Sequence, residues 1–188
     1  MTTATIHPTT HRDVLCECRH GKLLGSSTVS SKQGNEEATH VESIEIEHEA
    51  IIDGTPEQVF DALTYRVDHW WMLGFFSPDS SFLLEPSAGG RFYEDFGGKG
   101  AALYATVTYI EPAAKIRMSG AMGMRGPVMG TVAYDLAPSD GSTHLTLVHH
   151  IVGQMEEGTR DTYTQGWQEL FGQLKLYVET GQGYRGQS

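Results

Sequence analysis

The chain has 188 residues, with 13 Lys+Arg against 24 Asp+Glu, a formal net charge of −11 at pH 7. That length builds one domain with a real core rather than two, and the charge opposes phosphate backbones and anionic lipid, so neither nucleic acid nor a membrane is expected as a partner. No apolar run approaches the roughly 20 residues of a membrane span, the opening "MTTATIHPTTHRDV" lacks an apolar signal region, and two cysteines make no disulfide framework, so a reducing cytoplasm is the expected location.

Residues 1–40 are rich in Thr, Ser, Gly and His and show no sustained period, the pattern of a disordered N-terminal extension. His11, Cys16, Cys18 and His20 are four soft ligands within it. A C-x-C pair with flanking histidines is not a usual zinc spacing, however, so no metal site is expected. The domain proper is expected over 41–183, with a short tail at 184–188.

The pattern sharpens at Ser43. In "SIEIEHEAII", Ile44, Ile46, His48, Ala50 and Ile52 alternate with Glu45, Glu47 and Glu49, which predicts a half-buried strand. In "DGTPEQVFDAL", Thr55 is a natural N-cap, Pro56 takes the first helical position and Gln58 completes a capping box. Val59, Phe60 and Leu63 form the apolar stripe of this short helix. The block "DHWWMLGFFSP" follows, dense in aromatics and without a clean period, closed by Pro78 and its flanking serines. Six strand candidates then come in quick succession: "SFLLEP", "RFYEDF", "AALYATVTYI", "KIRMSGAM", "VMGTVAYDLA" and "THLTLVHHIV". Gly, Pro, Asp and Ser divide them, which argues for an antiparallel meander.

A long amphipathic helix closes the domain. Tyr163, Trp167, Leu170, Leu174 and Tyr177 recur at helical spacing, Phe171 and Val178 widen the stripe, and Gly181 is placed to terminate it. Gly166 lies at the edge of that stripe. A mid-helix glycine costs up to about 1 kcal/mol against alanine, tolerable where the helix approaches a strand closely or leaves room for something. An antiparallel sheet must wrap such a helix to bury its stripe.

This order of elements, together with "PEQVFDALT", "GGRF", "VTYIEP", "THLTLVHH" and "YTQGWQELFGQLKLYVETG", resembles the SRPBCC (START-like) superfamily, and within it proteins related to the activator of Hsp90 ATPase. The resemblance covers about residues 43–181, and the final helix is its most specific piece. It implies an α+β helix-grip fold, a curved antiparallel sheet around the C-terminal helix, with an internal, mostly apolar cavity. It does not imply one activity, because members include ligand carriers, aromatic cyclases and chaperone activators.

The expected ligand is a small apolar or aromatic molecule, with no cofactor. Trp70 and Trp71 are adjacent and cannot point the same way, so one is expected to plug the core and the other to wall the cavity. Phe75 belongs to the same block. Tyr163, Trp167 and Leu170 are expected from the final helix, and Phe92, Met118 and Tyr134 from the strands. Strand parity puts His149 with Leu145 and Leu147 toward the helix and His150 outward. Glu94 is carried inward with Phe92 and Phe96, which is costly unless the carboxylate is paired. His149 and Glu94 are therefore the candidates for a rival reading, a cyclase- or hydrolase-type enzyme. Neither a nucleophile nor paired carboxylates accompany them in sequence. The methionines of "RMSGAMGMRGPVM" could flank the cavity on an adaptable loop. A second rival is a protein-binding module acting on a chaperone ATPase, and a homodimer is compatible with either.

Overall fold

The computed structural model describes residues 41–184, except 73, 75, 77 and 78. The expected N-terminal extension with its His and Cys residues, Phe75, Pro78 and the last four residues lie outside the described set.

The alternating glutamates and isoleucines form β1, Glu42–Ile52, with Ile44, Ile46 and Ile52 buried and the glutamates in solvent. Helix α1, Pro56–Thr64, starts as its capping box dictates. Thr55 Oγ1 accepts from the Gln58 backbone N–H, and Gln58 Oε1 accepts from the Thr55 N–H at 2.8 Å. Val59, Phe60 and Leu63 are buried. A single turn, α2 (Val67–Trp70), leads into the aromatic segment.

The strands are β2 (Ser81–Leu84), β3 (Arg91–Asp95), β4 (Ala101–Glu111), β5 (Lys115–Ser119), β6 (Val128–Ser139) and β7 (Ser142–Gly153). They form one antiparallel sheet in the order β1-β7-β6-β5-β4-β3-β2. The last six strands thus run as a meander, and β1 returns to pair with β7, Ile46 opposite His149. Strand β5 ends at Ser119, short of the expected "KIRMSGAM". The next residue, Gly120, packs so tightly on β4 that a Cβ there would lie 2.2 Å from the Tyr104 carbonyl oxygen. Only glycine allows that approach.

Helix α3, Thr159–Thr180, ends at Gly181, whose left-handed φ of 76° lets its N–H reach the Tyr177 carbonyl. Trp167, Leu170, Phe171 and Leu174 are buried along its stripe. Phe171 sets its edge against His48 of β1 at 4.6 Å between centroids. The sheet therefore grips α3 through its inner face, and the apolar contacts along that face supply the main driving force.

Candidate functional site

The two adjacent tryptophans differ in backbone conformation but stay in contact, their rings edge to face at 5.3 Å between centroids. Trp70 is the last residue of α2, while Trp71 is already extended, with φ −63° and ψ 152°. Trp70 turns into the core, 1% exposed, and its Nε1–H donates to the Ala62 carbonyl at 2.7 Å. Trp71 is buried too, at 5% exposed, and its ring forms part of a cavity wall. It meets Phe92 and Trp167 edge to face at 5.0 and 5.9 Å, the geometry that aromatic quadrupoles favour.

Between Trp71, the first half of α3 and the β5–β6 loop lies a cavity of about 230 Å³. Trp71, Tyr104, Tyr163 and Trp167 give it four aromatic walls. Met72, Met122 and Leu170 add adaptable apolar surface, and Gly123, Thr162 and Gly166 complete the lining. At Gly166 a Cβ would meet nothing within 4 Å, so the glycine leaves space rather than permitting a close approach. A wider, more polar recess with Arg125, Gln154, Glu156 and Glu157 adjoins the cavity and shares Gly123, Thr162 and Tyr163 with it.

A hydrogen-bonded chain holds this wall together. The Tyr163 hydroxyl donates to the Met122 carbonyl at 3.2 Å, the Met122 N–H donates to the Tyr104 carbonyl at 2.9 Å, and the Tyr104 hydroxyl donates to Glu94 Oε2 at 3.1 Å. Glu94 is fully buried and also accepts from the Ser80 hydroxyl and the Phe76 N–H. Those donors offset the cost of burying a carboxylate. They also tie the aromatic segment to β3, as Asp68 ties it to β2 by accepting from the Phe82 N–H at 2.7 Å. Burial pushes the Tyr163 hydroxyl up to about 12 and the Tyr104 and Tyr134 hydroxyls higher still, Tyr104 with a further contribution from Glu94.

His149 is fully buried on the inner face, and His150 is exposed beside Glu45. His149 Nδ1 accepts from Trp167 Nε1 at 3.0 Å, which assigns the proton of the neutral ring to Nε2. Among the described residues that Nε2 has no hydrogen-bond partner, and desolvation, then the charge of His150, pulls the ring's pKa down to about 4.

Of the residues singled out from sequence, Trp71, Tyr163, Trp167 and Leu170 line the cavity. Trp70, Phe92, Met118, Tyr134 and His149 are buried in the packed core and are not part of its wall. Glu94 serves as a structural tie, and Phe75 lies outside the described residues. Pattern reading missed Met72, Thr162 and, most consequentially, Tyr104. Strict alternation along β4 puts it on the face opposite Ala105 and Val107. A bulge intervenes, because Phe92 pairs with Ala105 but Tyr93 with Leu103. Tyr104 and Ala105 are consequently both buried and Leu103 is 58% exposed. Met122 and Gly166 did carry a signal, in the methionine cluster and in a helix-breaking residue placed mid-stripe.

Among the described residues no group of three or more His, Cys, Asp or Glu is placed to hold a metal ion, and no helix is long and apolar enough to cross a membrane.

A curved antiparallel sheet gripping one long C-terminal helix, with an apolar hollow between them, defines a helix-grip protein of the SRPBCC type. Residues 53–179 match the family described as Activator of Hsp90 ATPase homolog 1-like protein, and the chain belongs to that family. Among solved structures it is similar to protein MLL2253 from Mesorhizobium loti, at 21% identity over 72% of this chain and 97% of that one, TM-score 0.55. It is similar also to Aha1 from Colwellia psychrerythraea, determined as a dimer, at 22% identity over 74% and 99%, TM-score 0.54. DynU16, a protein of the dynemicin biosynthetic locus, is 21% identical over 73% of this chain and 48% of its own, TM-score 0.57. No curated protein matches the chain. At these identities the likeness speaks for the fold alone.

Proposed function

We propose that the domain binds a small, largely apolar aromatic molecule in the cavity between α3, Trp71 and the β5–β6 loop. The observation that carries this reading is a hollow walled by four aromatic rings, with a glycine left open on the helix that forms its floor. Engineered apolar cavities of about 150 Å³ hold benzene, and pockets for drug-sized molecules start near 300 Å³. A volume of about 230 Å³ between those limits suits one or two fused rings. Burial of apolar surface would drive binding at about 25 cal/mol per Å². Native mass spectrometry of the gently purified protein is expected to show a bound small molecule. Gly166→Leu, which fills the open side of the cavity, is expected to lose it while remaining folded. An unliganded wild-type protein whose thermal unfolding is unmoved by bicyclic aromatic probes would sink the proposal.

An acid–base enzyme draws less support. The His149 ring hydrogen-bonds to Trp167 rather than to a carboxylate, and Glu94 is occupied by Ser80, Tyr104 and Phe76. Family membership and the dimeric Colwellia neighbour favour a second reading, a self-associating or chaperone-directed module. Light scattering of the purified chain, alone and with an Hsp90-type ATPase, tests it. A monomer that leaves the ATPase free would remove that reading.

A further inference from the structure

We infer that the molecule held in this cavity carries a carboxylate on its aromatic skeleton, and that Arg125 in the adjoining recess binds it. The inference rests on the binding reading above and deepens it. Within the cavity, the polar atoms of three aromatic walls are engaged. The Tyr104 hydroxyl donates to Glu94, the Tyr163 hydroxyl to the Met122 carbonyl, and the Trp167 indole N–H to His149. A polar group on the ligand is better served in the recess, which shares Gly123, Thr162 and Tyr163 with the cavity and is lined by Arg125.

Arg125 differs from the other described arginines. Arg66 pairs with Asp61, Arg91 with Glu85 and Arg117 with Asp135, and Arg160 donates to the Glu45 carbonyl. Arg125 alone donates to no oxygen among the described residues, although Glu156 and Glu157 line the same recess. Its guanidinium lies over the Phe76 ring, 5.4 Å from the centroid and within cation–π range. Phe76 is itself held, its N–H donating to Glu94 and its ring centroid 6.2 Å from that of Tyr104 in the cavity wall. The guanidinium is thus positioned close to the cavity with its donors open, and such a fork matches a carboxylate through two parallel hydrogen bonds. Glu156 and Glu157 set the charge of the group, because they repel a dianion more than a monoanion. A carboxylate therefore suits the recess better than a phosphate monoester. The two glutamates are exposed and make no side-chain hydrogen bond or ion pair among the described residues. Holding an ammonium would require ordering them, at a cost in side-chain entropy, whereas Phe76 already orders Arg125.

The test sets each of two carboxylates against a methyl ketone of nearly the same shape. The pairs are 2-naphthoate with 2-acetonaphthone, and the longer 3-(2-naphthyl)propionate with 4-(2-naphthyl)butan-2-one. Calorimetric titration of the full chain at low salt is expected to show at least one carboxylate binding about fivefold tighter than its ketone, the upper end for an exposed ion pair. The preference is expected to shrink as salt is raised and to vanish in Arg125→Gln, a change at an exposed side chain. In wild-type protein the Arg125 Nε ¹H–¹⁵N resonance is expected to move with the preferred carboxylate and not with its ketone. This readout stands even if the variant fails to fold. Three results overturn the anion and leave the binding reading intact: no preference in either pair, a preference that survives in Arg125→Gln, or 2-(2-naphthyl)ethylamine binding tighter than both carboxylates. Binding of none of the five probes overturns both.

Discussion

His149 lies against Trp167 and Tyr163, with ring centroids 5.7 and 5.9 Å away. The fold holds it neutral, with a pKa near 4 against about 6.5 in the unfolded chain. Between those two values the unfolded state takes up a proton that the folded state refuses. Stability is thus fully present above about pH 6.5 and drains as pH falls toward 4, by on the order of 3 kcal/mol. His48, lowered by burial against a smaller opposing effect of Glu49, slopes the same way. Urea unfolding from pH 7 to 4.5 is expected to show the loss, and His149→Phe is expected to flatten it. A variant with an unchanged pH slope would mean that His149 is not the group responsible. Trp167, the partner of His149, is 4% exposed and also contacts Trp71 and Tyr134. Trp167→Ala is expected to cost about 3–5 kcal/mol, as large aromatic truncations do. A loss under about 1 kcal/mol in the same unfolding assay would contradict the packing described. The inward placement of His149 was legible from simple parity, because β7 runs without a bulge through Leu145, Leu147 and His149.

Elements differ in how openly their sequences declare them. Helix α1 announces itself through a local device, the Thr55–Gln58 capping box, and α3 through a stripe long enough to average out exceptions. Strand β4 does not, because its bulge is a feature of its pairing with β3, at the point where Gly120 also packs closely on Tyr104 and Ala105. No window of β4 alone contains that information. The same tertiary cause hid Tyr104 and, with it, the hydrogen-bonded route from Tyr163 to Glu94. The glycine in α3 is the opposite case, a local anomaly that pattern could flag without saying whether close packing or empty space explained it. Empty space is the answer, and it has a consequence at the scale of the helix. Gly166→Ala has room for its methyl and removes the entropic penalty of glycine, so it is expected to raise stability by up to about 1 kcal/mol. Thermal unfolding that shows destabilisation instead would mean that α3 sits closer to the cavity wall than described.

At the scale of the molecule, the cavity joins parts that are far apart in sequence: Trp71 after α2, Tyr104 on β4, Met122 in the β5–β6 loop, and Tyr163 to Leu170 on α3. The meander and the gripping helix could be read from alternation and spacing. The hollow could not, because its volume is the residue of imperfect fit between sheet and helix, a property of their joint geometry rather than of any one segment. Every described residue of its lining falls between 71 and 170, and we propose that residues 41–183 form the complete binding domain. A ligand that binds only the folded state stabilises it by about 2.7 kcal/mol at a hundredfold excess over Kd. That gain is expected to be the same for the full chain and for a chain of residues 41–183, measured by urea unfolding with and without 2-acetonaphthone. A truncated chain that folds with native stability but loses the ligand-dependent gain would show that residues outside 41–183 complete the site.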